Sequence, residues 1–161
     1  MNLKNIKSPF VIILIGAPLS GKTTWIKNNF PEIDVISRDE ILMGVYGSRN
    51  YTEAFNNVNQ KEVDKVLSET FIKYNDDKRN VIVDMTHMGS KRRRKNLKYF
   101  TDDYYKLGVI FPILSDKEYI RRNEKRILEE DKDIPFSVIK NMISGYQTIK
   151  DNEGFNKVIS L

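Results

Sequence analysis

The amino-acid sequence predicts an α/β fold in which a parallel sheet of about four or five strands is flanked by helices. Short apolar runs rich in β-branched residues alternate with longer amphipathic stretches, as in strand–helix–strand units with right-handed crossovers. A glycine-rich loop directly follows the first apolar run, FVIILI. In folds of this class ligands bind beyond the carboxyl ends of the strands, so the residues that follow strands are the first candidates for function.

The first half of the chain contains three predicted strands. Each is short, apolar and bounded by turn residues, which favours buried parallel strands over helices. A helix should follow the glycine loop and end at Pro31, and a longer helix is indicated where apolar residues recur at helical spacing. The predicted strands are Phe10–Ile15, Asp34–Ser37 and Val81–Asp84, and the predicted helices are 21–30 and 51–74.

The second half should add two strands and three helices. Ser90 is positioned to cap a basic helix that we expect to end near Gly108. The apolar run 109–114 is predicted as a strand, and Pro112 within it suggests an edge or strand-end position. Helices are predicted over residues 116–128 and 136–150, and the final KVISL over 157–161 is predicted as a last strand.

Length and composition narrow the class of protein. The 161 residues fit one domain, 1–161, and the absence of cysteine excludes disulfides and thiolate metal sites. The longest apolar run, Phe10–Ile15, is far too short for a membrane span, and the N-terminus lacks the pattern of a signal peptide. We therefore expect a cytoplasmic protein with no membrane partner.

The net charge of +5 is concentrated in one segment. Between Met85 and Thr101 there is no acidic residue, and a concentrated patch of this kind favours a polyanionic partner. A solvated helix face is the alternative interpretation of the same charges. The six cations of the segment are Lys91, Arg92, Arg93, Arg94, Lys95 and Lys98.

The glycine-rich loop fits the P-loop pattern GxxxxGK[ST]. Its glycines let successive backbone N–H groups point at phosphate oxygens, and the following helix adds its positive N-terminal end. Lys22 should reach the β- and γ-phosphates of a nucleotide, and the Thr23 hydroxyl should bind Mg²⁺. An ordinary glycine turn is the alternative. The predicted nucleotide-binding residues of this loop are Gly16, Ala17, Pro18, Leu19, Ser20, Gly21, Lys22, Thr23 and Thr24.

Asp84 ends the apolar strand VIVD, at the place where P-loop proteins hold Mg²⁺ directly or through water. A strand-end aspartate that caps a turn is the alternative. Thr86 and His87 follow within three residues and should face the same crevice. A lone histidine is often incidental, so a role for His87 at the substrate is only one of two interpretations.

Asp39 follows the second predicted strand, in the stretch ISRDE. A kinase needs a carboxylate beside the acceptor hydroxyl, both to orient it and to take its proton as the O–P bond forms. Asp39 is therefore the candidate general base. Because it also opens an apparent short helix, an N-cap is the structural alternative.

Arg122 and Arg126 stand four residues apart in a helical stretch and so share one face of it. Two guanidinium groups on one face could close over a triphosphate and neutralise charge in the transition state. The alternative is a solvated helix in which they pair with nearby glutamates such as Glu118.

Taken in order, these segments resemble the kinase domain of phage polynucleotide 5′-kinases, within the P-loop kinase superfamily. GAPLSGKTTW is similar to the family's GxPGSGKSTW loop, and ISRDE to the segment that holds its general base. VIVDMTHMGSKRR is similar to a D-x-T-N segment that leads into paired arginines, and YIRRNEKR to a lid with arginines four apart. DIPFSVIKNMISGYQ resembles the V-P-I-D-V-L-x-x-M stretch after the lid, so the likeness covers nearly the whole chain.

The resemblance implies a P-loop kinase fold with a helical lid at about 116–134 and a function in nucleic-acid repair, in a host cell if the protein is phage-encoded. The γ-phosphoryl group of ATP or GTP, with Mg²⁺, would pass to the 5′-hydroxyl end of DNA or RNA. It assigns catalysis to Lys22, Asp39, Arg122 and Arg126, and Mg²⁺ to Thr23 and Asp84. The acceptor strand would lie against Arg38, Asp39, Thr86, His87, Arg92 and Arg93.

Two departures from the family pattern fall on the acceptor side. Leu42 stands where the better-known phage enzyme has an arginine that contacts the acceptor strand, and His87 replaces the family's asparagine. They favour a first alternative, a kinase of a small-molecule alcohol such as a nucleoside, sugar or antibiotic. A second alternative is a nucleotide-dependent switch with no acceptor. The choices between DNA and RNA and between ATP and GTP, and the oligomeric state, stay open.

Overall fold

The computed structural model describes residues 6–130 and 132–161, and in them five strands form one parallel sheet. The order across the sheet is β2-β3-β1-β4-β5, with every neighbouring pair parallel. The strands are β1 Phe10–Ile15, β2 Asp34–Ser37, β3 Val81–Asp84, β4 Tyr105–Ile110 and β5 Lys157–Ser160. The predicted α/β class and parallel sheet are confirmed.

Strand β1 forms the centre of the core because it is buried along its whole length. Alternate side chains of a strand point to opposite faces, so its apolar residues supply a core layer on each side of the sheet. One layer contains Val11, Ile13 and Ile15. The other contains Phe10, Ile12 and Leu14. This double burial explains why the sequence of β1 is apolar throughout rather than alternating.

Helices cover both faces of the sheet, as crossovers between parallel strands require. None of those in the described part of the chain is long and apolar enough to cross a membrane. The helices are α1 Lys22–Asn29, α2 Arg38–Tyr46, α3 Tyr51–Asn57, α4 Gln60–Asp76, α5 Ser90–Leu97, α6 Asp116–Glu130 and α7 Phe136–Ser144, and a 3₁₀ turn spans Asp151–Glu153.

The helix predicted over residues 51–74 is wrong in one respect, because it is two helices. Val58 is extended, with φ −72° and ψ 147°, which ends α3. The Asn59 side chain then accepts a hydrogen bond from the Lys61 N–H at 3.1 Å and so caps α4. An asparagine cap inside a run of helical periodicity thus divides the segment.

The prediction for the basic helix and the strand after it is also wrong. The helix ends at Leu97, and β4 begins at Tyr105 and lies in the interior of the sheet. Gly108 misled the prediction, because it lies within the strand. A Cβ atom there would come within 3.2 Å of Phe155, so the glycine makes room for an aromatic ring. Pro112 follows the end of β4.

The C-terminal elements are partly as predicted. The strand over KVISL is confirmed as β5, at one edge of the sheet. The helix predicted to reach residue 150 ends at Ser144, before Gly145. Gln147 then caps α5, since its Oε1 accepts hydrogen bonds from the Ser90 N–H at 2.8 Å and the Ser90 hydroxyl at 2.7 Å. The prediction that the Ser90 side chain caps α5 is therefore wrong.

Candidate active site

Three neighbouring strands bring the predicted site residues together. In the sheet β3 lies between β2 and β1, so the carboxyl ends of these strands are adjacent. The P-loop follows β1, Asp39 follows β2, and Asp84 ends β3. The loop is also joined to the segment after β3, because the Gly16 N–H donates to the Thr86 carbonyl at 2.9 Å.

The loop between β1 and α1 has the backbone conformation of an anion-binding nest. Leu19 and Gly21 both have positive φ, at 66° and 101°. Gly16 is required for packing, since a Cβ there would lie 2.7 Å from the Ser20 hydroxyl and 2.8 Å from the Cβ of Phe111. The first turn of α1 has no side-chain cap, so its N–H groups are left to a ligand.

The Lys22 side chain is buried within this loop. Its ammonium donates to the carbonyls of Gly16 at 3.0 Å and Ala17 at 2.8 Å. Burial lowers the pKa of Lys22 to about 8, and the nearby Asp84 carboxylate opposes that shift. A buried ammonium that two neutral carbonyls hold is suited to neutralising an incoming phosphate.

Ser20 adds a direct sign that the loop is shaped for a ligand. Its hydroxyl oxygen is the one buried side-chain polar atom without a hydrogen-bond partner in the described residues. Leaving such a group unpaired costs about 1–3 kcal/mol, so an unpaired hydroxyl calls for a reason. A phosphate oxygen in the loop would accept its hydrogen bond. The residues present therefore fit a nucleotide phosphate.

Thr23 and Asp84 form the candidate metal position. The Thr23 hydroxyl donates to Asp84 Oδ2 at 3.3 Å. Burial raises the pKa of Asp84, and the Lys22 ammonium and the Thr23 hydroxyl oppose the shift. No group of three or more His, Cys, Asp or Glu side chains is gathered for a metal within residues 6–130 and 132–161. One hydroxyl and one carboxylate fit Mg²⁺, which usually keeps several waters and takes further ligands from substrate phosphates.

Asp39 lies in the first turn of α2, but it is not the helix cap. The cap is Ser37, whose side chain accepts a hydrogen bond from the Glu40 N–H at 3.4 Å. The Asp39 carboxylate instead forms an ion pair with Lys132, between α6 and α7, and its side chain stays 45% exposed. The cap interpretation of Asp39 is therefore wrong, and its carboxylate stays partly accessible beside Lys132.

The charge of Asp39 acts on the groups of the P-loop side. Burial is the largest influence on both groups, lowering the pKa of Lys22 and raising that of Asp84. The charge of Asp39 opposes the shift of Lys22 and adds to the shift of Asp84. The charge of Lys132 acts on the same two groups. The Asp39 carboxylate and the P-loop therefore share one electrostatic environment.

Both predicted arginines of α6 face this environment. Arg122 donates from Nη1 to the Leu19 carbonyl at 2.9 Å, which places its guanidinium against the P-loop. The pairing with Glu118 that was the alternative also exists, with Nε 2.6 Å from Oε1. The charge of Arg126 adds to the lowering of the Lys22 pKa by burial and opposes the raising of the Tyr51 pKa by burial. The two interpretations of α6 are thus compatible.

Two residues predicted to bind the acceptor are buried, and these predictions are wrong. His87 is fully buried, with Nδ1 2.8 Å from the Leu14 carbonyl and Nε2 2.9 Å from Asn96 Nδ2. Burial lowers the pKa of His87 to about 4, so its ring is neutral near pH 7. Arg93 is also fully buried, and it donates from Nε to Glu153 at 2.6 Å. Neither side chain can reach a substrate.

The remaining acceptor-side residues have mixed surroundings. Arg38 donates to Gln60 at 2.7 Å and to Asp64 at 3.2 Å, so it is held against α4. Thr86 is half-buried behind the loop, and Arg92 is exposed on α5.

Leu42 is fully buried in a small core with Ala54 and Val63. The leucine therefore serves packing, and its position does not face the cleft.

Two residues beside Asp39, Lys132 and Tyr51, were not predicted from the sequence. Lys132 lies in the charged stretch EEDKDIP, which is typical of a solvated loop. Tyr51 stands at the start of α3 and is consistent with an ordinary helix residue. Only the fold brings both of them to Asp39, so no local pattern could have identified them.

Comparison with known families finds one match over most of the chain. A protein-family model described as an AAA domain matches residues 11–149. The matched segment contains the P-loop, Asp39, Asp84 and the two arginines of α6, and it ends before β5.

Comparison with solved structures finds the same fold at low sequence identity. A chain of the Pnkp1/Rnl/Hen1 RNA repair complex matches with TM-score 0.69 and 22% identity, over 88% of this chain but only 46% of that one. A gluconokinase from Sinorhizobium meliloti 1021 matches with TM-score 0.55 and 11% identity, over 96% and 83%. Kti12 from Chaetomium thermophilum, solved with ADP-AlF3, matches with TM-score 0.62 and 17% identity, over 94% and 88%. These likenesses confirm a P-loop kinase-like fold.

Proposed function

Because this chain belongs to the AAA-domain family, we propose that it is a nucleotide-dependent phosphotransferase, and specifically a polynucleotide 5′-hydroxyl kinase. It would transfer the γ-phosphoryl group of ATP or GTP to the 5′-hydroxyl end of DNA or RNA. One observation carries this proposal. Asp39, a carboxylate that is not needed as a helix cap, lies near enough to the buried P-loop lysine Lys22 for its charge to act on that ammonium.

The donor side of the proposed reaction is the P-loop. The N–H groups of its nest and of the first turn of α1 would bind the β- and γ-phosphates, together with the Ser20 hydroxyl and the Lys22 ammonium. Thr23 and Asp84 would hold Mg²⁺. The ion would neutralise charge on the β- and γ-oxygens. Arg122, already against the loop, would neutralise charge from the opposite side together with Arg126.

The acceptor side is Asp39. Its carboxylate would accept the proton of the 5′-hydroxyl as that oxygen attacks the γ-phosphorus. The bond between the γ-phosphorus and the β,γ-bridging oxygen breaks, and the nucleoside diphosphate leaves with the electron pair of that bond. Orientation of the hydroxyl is a large part of the role, because a loose transition state develops little demand for a strong base.

A nucleic-acid acceptor is supported by charge. Five cations of the segment between Met85 and Thr101 stay exposed after Arg93 is excluded, namely Lys91, Arg92, Arg94, Lys95 and Lys98. They lie on or directly after α5, which follows the β3 end of the cleft. Exposed cations so concentrated could bind the phosphates of a strand whose 5′ end lies at Asp39. The match to a chain of an RNA repair complex agrees with this choice.

Transfer of label from γ-radiolabelled ATP to a 5′-hydroxyl oligonucleotide tests the proposal. We expect labelling of the 5′-hydroxyl strand and none of the same strand with a 5′-phosphate. Asp39→Ala should lower the rate by about 100-fold or more, since general base catalysis contributes about 10²–10⁴. Absence of labelling of DNA and RNA by folded protein would refute the nucleic-acid acceptor. Near-full activity of Asp39→Ala would refute the role of the base.

A kinase of a small-molecule alcohol is the second candidate, and a specific observation favours it. Leu42, His87 and Arg93, three positions of interest on the acceptor side, are all buried. Salt dependence separates the candidates. The KM for a strand should rise steeply with salt because counterions are released, whereas the KM for a neutral alcohol should change little.

A further inference from the structure

Lys132 is a buried lysine in a place where no catalytic motif predicts one. It is 7% exposed, and its ammonium is paired with Asp39 Oδ2. The same ammonium lies 3.7 Å from the centre of the Tyr51 ring. A buried cation is costly unless it is paired, and here a carboxylate and an aromatic face together supply the compensation.

Tyr51 contacts the same carboxylate from another element. Burial raises the pKa of Tyr51 to about 12, and the charge of Asp39 and a hydrogen bond between the two side chains add to that shift. The hydroxyl is therefore un-ionised near pH 7 and able to donate. Asp39 is thus held by α3 through Tyr51 and by the segment between α6 and α7 through Lys132.

We propose that Lys132 is a positioning residue for Asp39, which fixes the orientation of the carboxylate toward the acceptor hydroxyl. The inference rests on the proposed function, in which Asp39 is the base. A carboxylate has two oxygens and about four acceptor sites, so the contact at Oδ2 leaves room for a substrate hydroxyl. The charged groups near Asp39 include Lys22 of α1, Asp84 of β3, Arg38 of α2, Arg126 of α6 and Lys132, and the un-ionised Tyr51 of α3 lies among them.

The location of Lys132 gives this contact a second consequence. Lys132 follows α6, which carries Arg122 against the P-loop. One stretch of chain therefore contacts the donor side through Arg122 and the acceptor side through Lys132. The proposed placement of the α6 arginines and the proposed orientation of Asp39 therefore depend on residues only ten positions apart in the chain, Arg122 and Lys132.

Kinetics of Lys132→Met test the proposal. Methionine is an unbranched, flexible side chain that can fill the same space, and it removes the charge. We expect kcat to fall about tenfold or more, with KM for ATP and for the oligonucleotide within about twofold of wild type, because the reacting geometry is lost and binding is kept. Lys132→Arg, which keeps the charge, should restore part of kcat. Lys125→Met is the matched control, since Lys125 is exposed on α6 and pairs only loosely with Glu129 at 3.7 Å.

A double substitution identifies the route by which Lys132 acts. In an Asp39→Ala background, Lys132→Met should lower kcat by less than about twofold, because the group that it orients is gone. An equal fold-loss in both backgrounds would overturn the proposal and place Lys132 directly on the substrate. Wild-type kcat in Lys132→Met would also overturn it.

Nuclear magnetic resonance of isotope-labelled lysine ammonium groups tests the contact without a substrate. Among the slowly exchanging ammonium signals, the one that belongs to Lys132 should disappear in Lys132→Met and shift in Asp39→Asn. An unshifted signal in Asp39→Asn would refute the pairing. If the pairing holds and no oligonucleotide is labelled by wild type, the acceptor assignment fails and the contact stands, so the two failures are distinguishable.

Discussion

At the scale of single residues, Lys22, which is proposed to bind phosphate, lies in a location that is unfavourable for its charge. Its ammonium is buried among loop carbonyls, and its pKa is lowered to about 8. Near pH 7 most of the Lys22 side chains carry the proton, but a rise of about one pH unit removes it from half of them. A bound triphosphate would favour the charged form and raise that pKa again, so nucleotide binding and protonation of Lys22 are coupled.

The affinity for ATP should therefore fall as the pH rises above about 8. Above that pH the free protein has lost the proton and must take one up to bind, which weakens binding by up to about tenfold per pH unit. Below it the proton is present in both states and the affinity should be level. Calorimetric titration with ATP on either side of pH 8 measures this. Lys22→Met should bind weakly at every pH, and a steep fall retained in that variant would contradict the assignment.

Thr23 and Asp84 make a separate prediction about metal. Thr23→Val should raise the Mg²⁺ concentration needed for half-maximal activity several-fold, since it removes one ligand and keeps the side-chain shape. Asp84→Asn should do the same. Activity against Mg²⁺ concentration is the measurement, and Mg²⁺-free ATP affinity is the control. An unchanged Mg²⁺ requirement in both variants would exclude this position as the metal site.

The residues proposed to bind the donor nucleotide could be named from the sequence because they lie within one continuous motif that has a fixed backbone geometry. Asp39 and Asp84 could be predicted because each follows a short apolar strand. Lys132 could not, because its contact with Asp39 spans 93 positions of sequence. Arg93 was misassigned since charge is visible in a sequence and burial is not.

At the scale of elements, α5 carries two kinds of arginine. Arg93 is fully buried and donates to Glu153, to the carbonyls of His87 and Met88 and to that of Gln147. Arg94, one position on, is exposed. The buried arginine therefore links α5 and the segment after β3 to the 3₁₀ turn Asp151–Glu153 by hydrogen bonds.

Arg93→Met should destabilise the protein by about 3–5 kcal/mol, because it leaves the buried Glu153 carboxylate unpaired. Arg94→Met should change the free energy of unfolding by less than about 0.5 kcal/mol. Urea unfolding measures both. Equal stability of the two variants would mean that the ion pair contributes little to the fold.

Strands were easier to predict than helix boundaries. β1, β2 and β3 have the predicted bounds because each is a short apolar run flanked by turn residues. The division between α3 and α4 depended on the Asn59 cap. The end of α5 was misplaced because Gly108, against which the Phe155 ring packs, was interpreted as a helix end. Asn59 acts as a local helix cap inside a run of helical periodicity, and Gly108 lies in a strand where its missing side chain makes room for Phe155.

At the scale of the whole molecule, the positive charge is concentrated on one helix. If that surface binds a strand, Arg92→Glu with Lys95→Glu should weaken oligonucleotide binding and make it less sensitive to salt. Each lost phosphate contact should reduce the slope of log affinity against log salt by about 0.7 for single strands. The same reversal at Lys65 and Lys73, exposed on α4, is the control. Equal effects at the two sites would mean that only net charge matters.

The position of β2 at the edge of the sheet has a consequence for how substrate range can change. The phosphate loop follows the central strand and is hydrogen-bonded to the segment after β3, so it is embedded in the core. Asp39 follows an edge strand, and its partners Tyr51 and Lys132 come from α3 and from a connecting segment at the periphery. Under the proposed function, replacing those peripheral pieces should alter which acceptor fits beside Asp39 while the phosphate loop stays intact. The proposed nucleotide-binding loop and the segments that contact Asp39 are therefore separable parts of this fold.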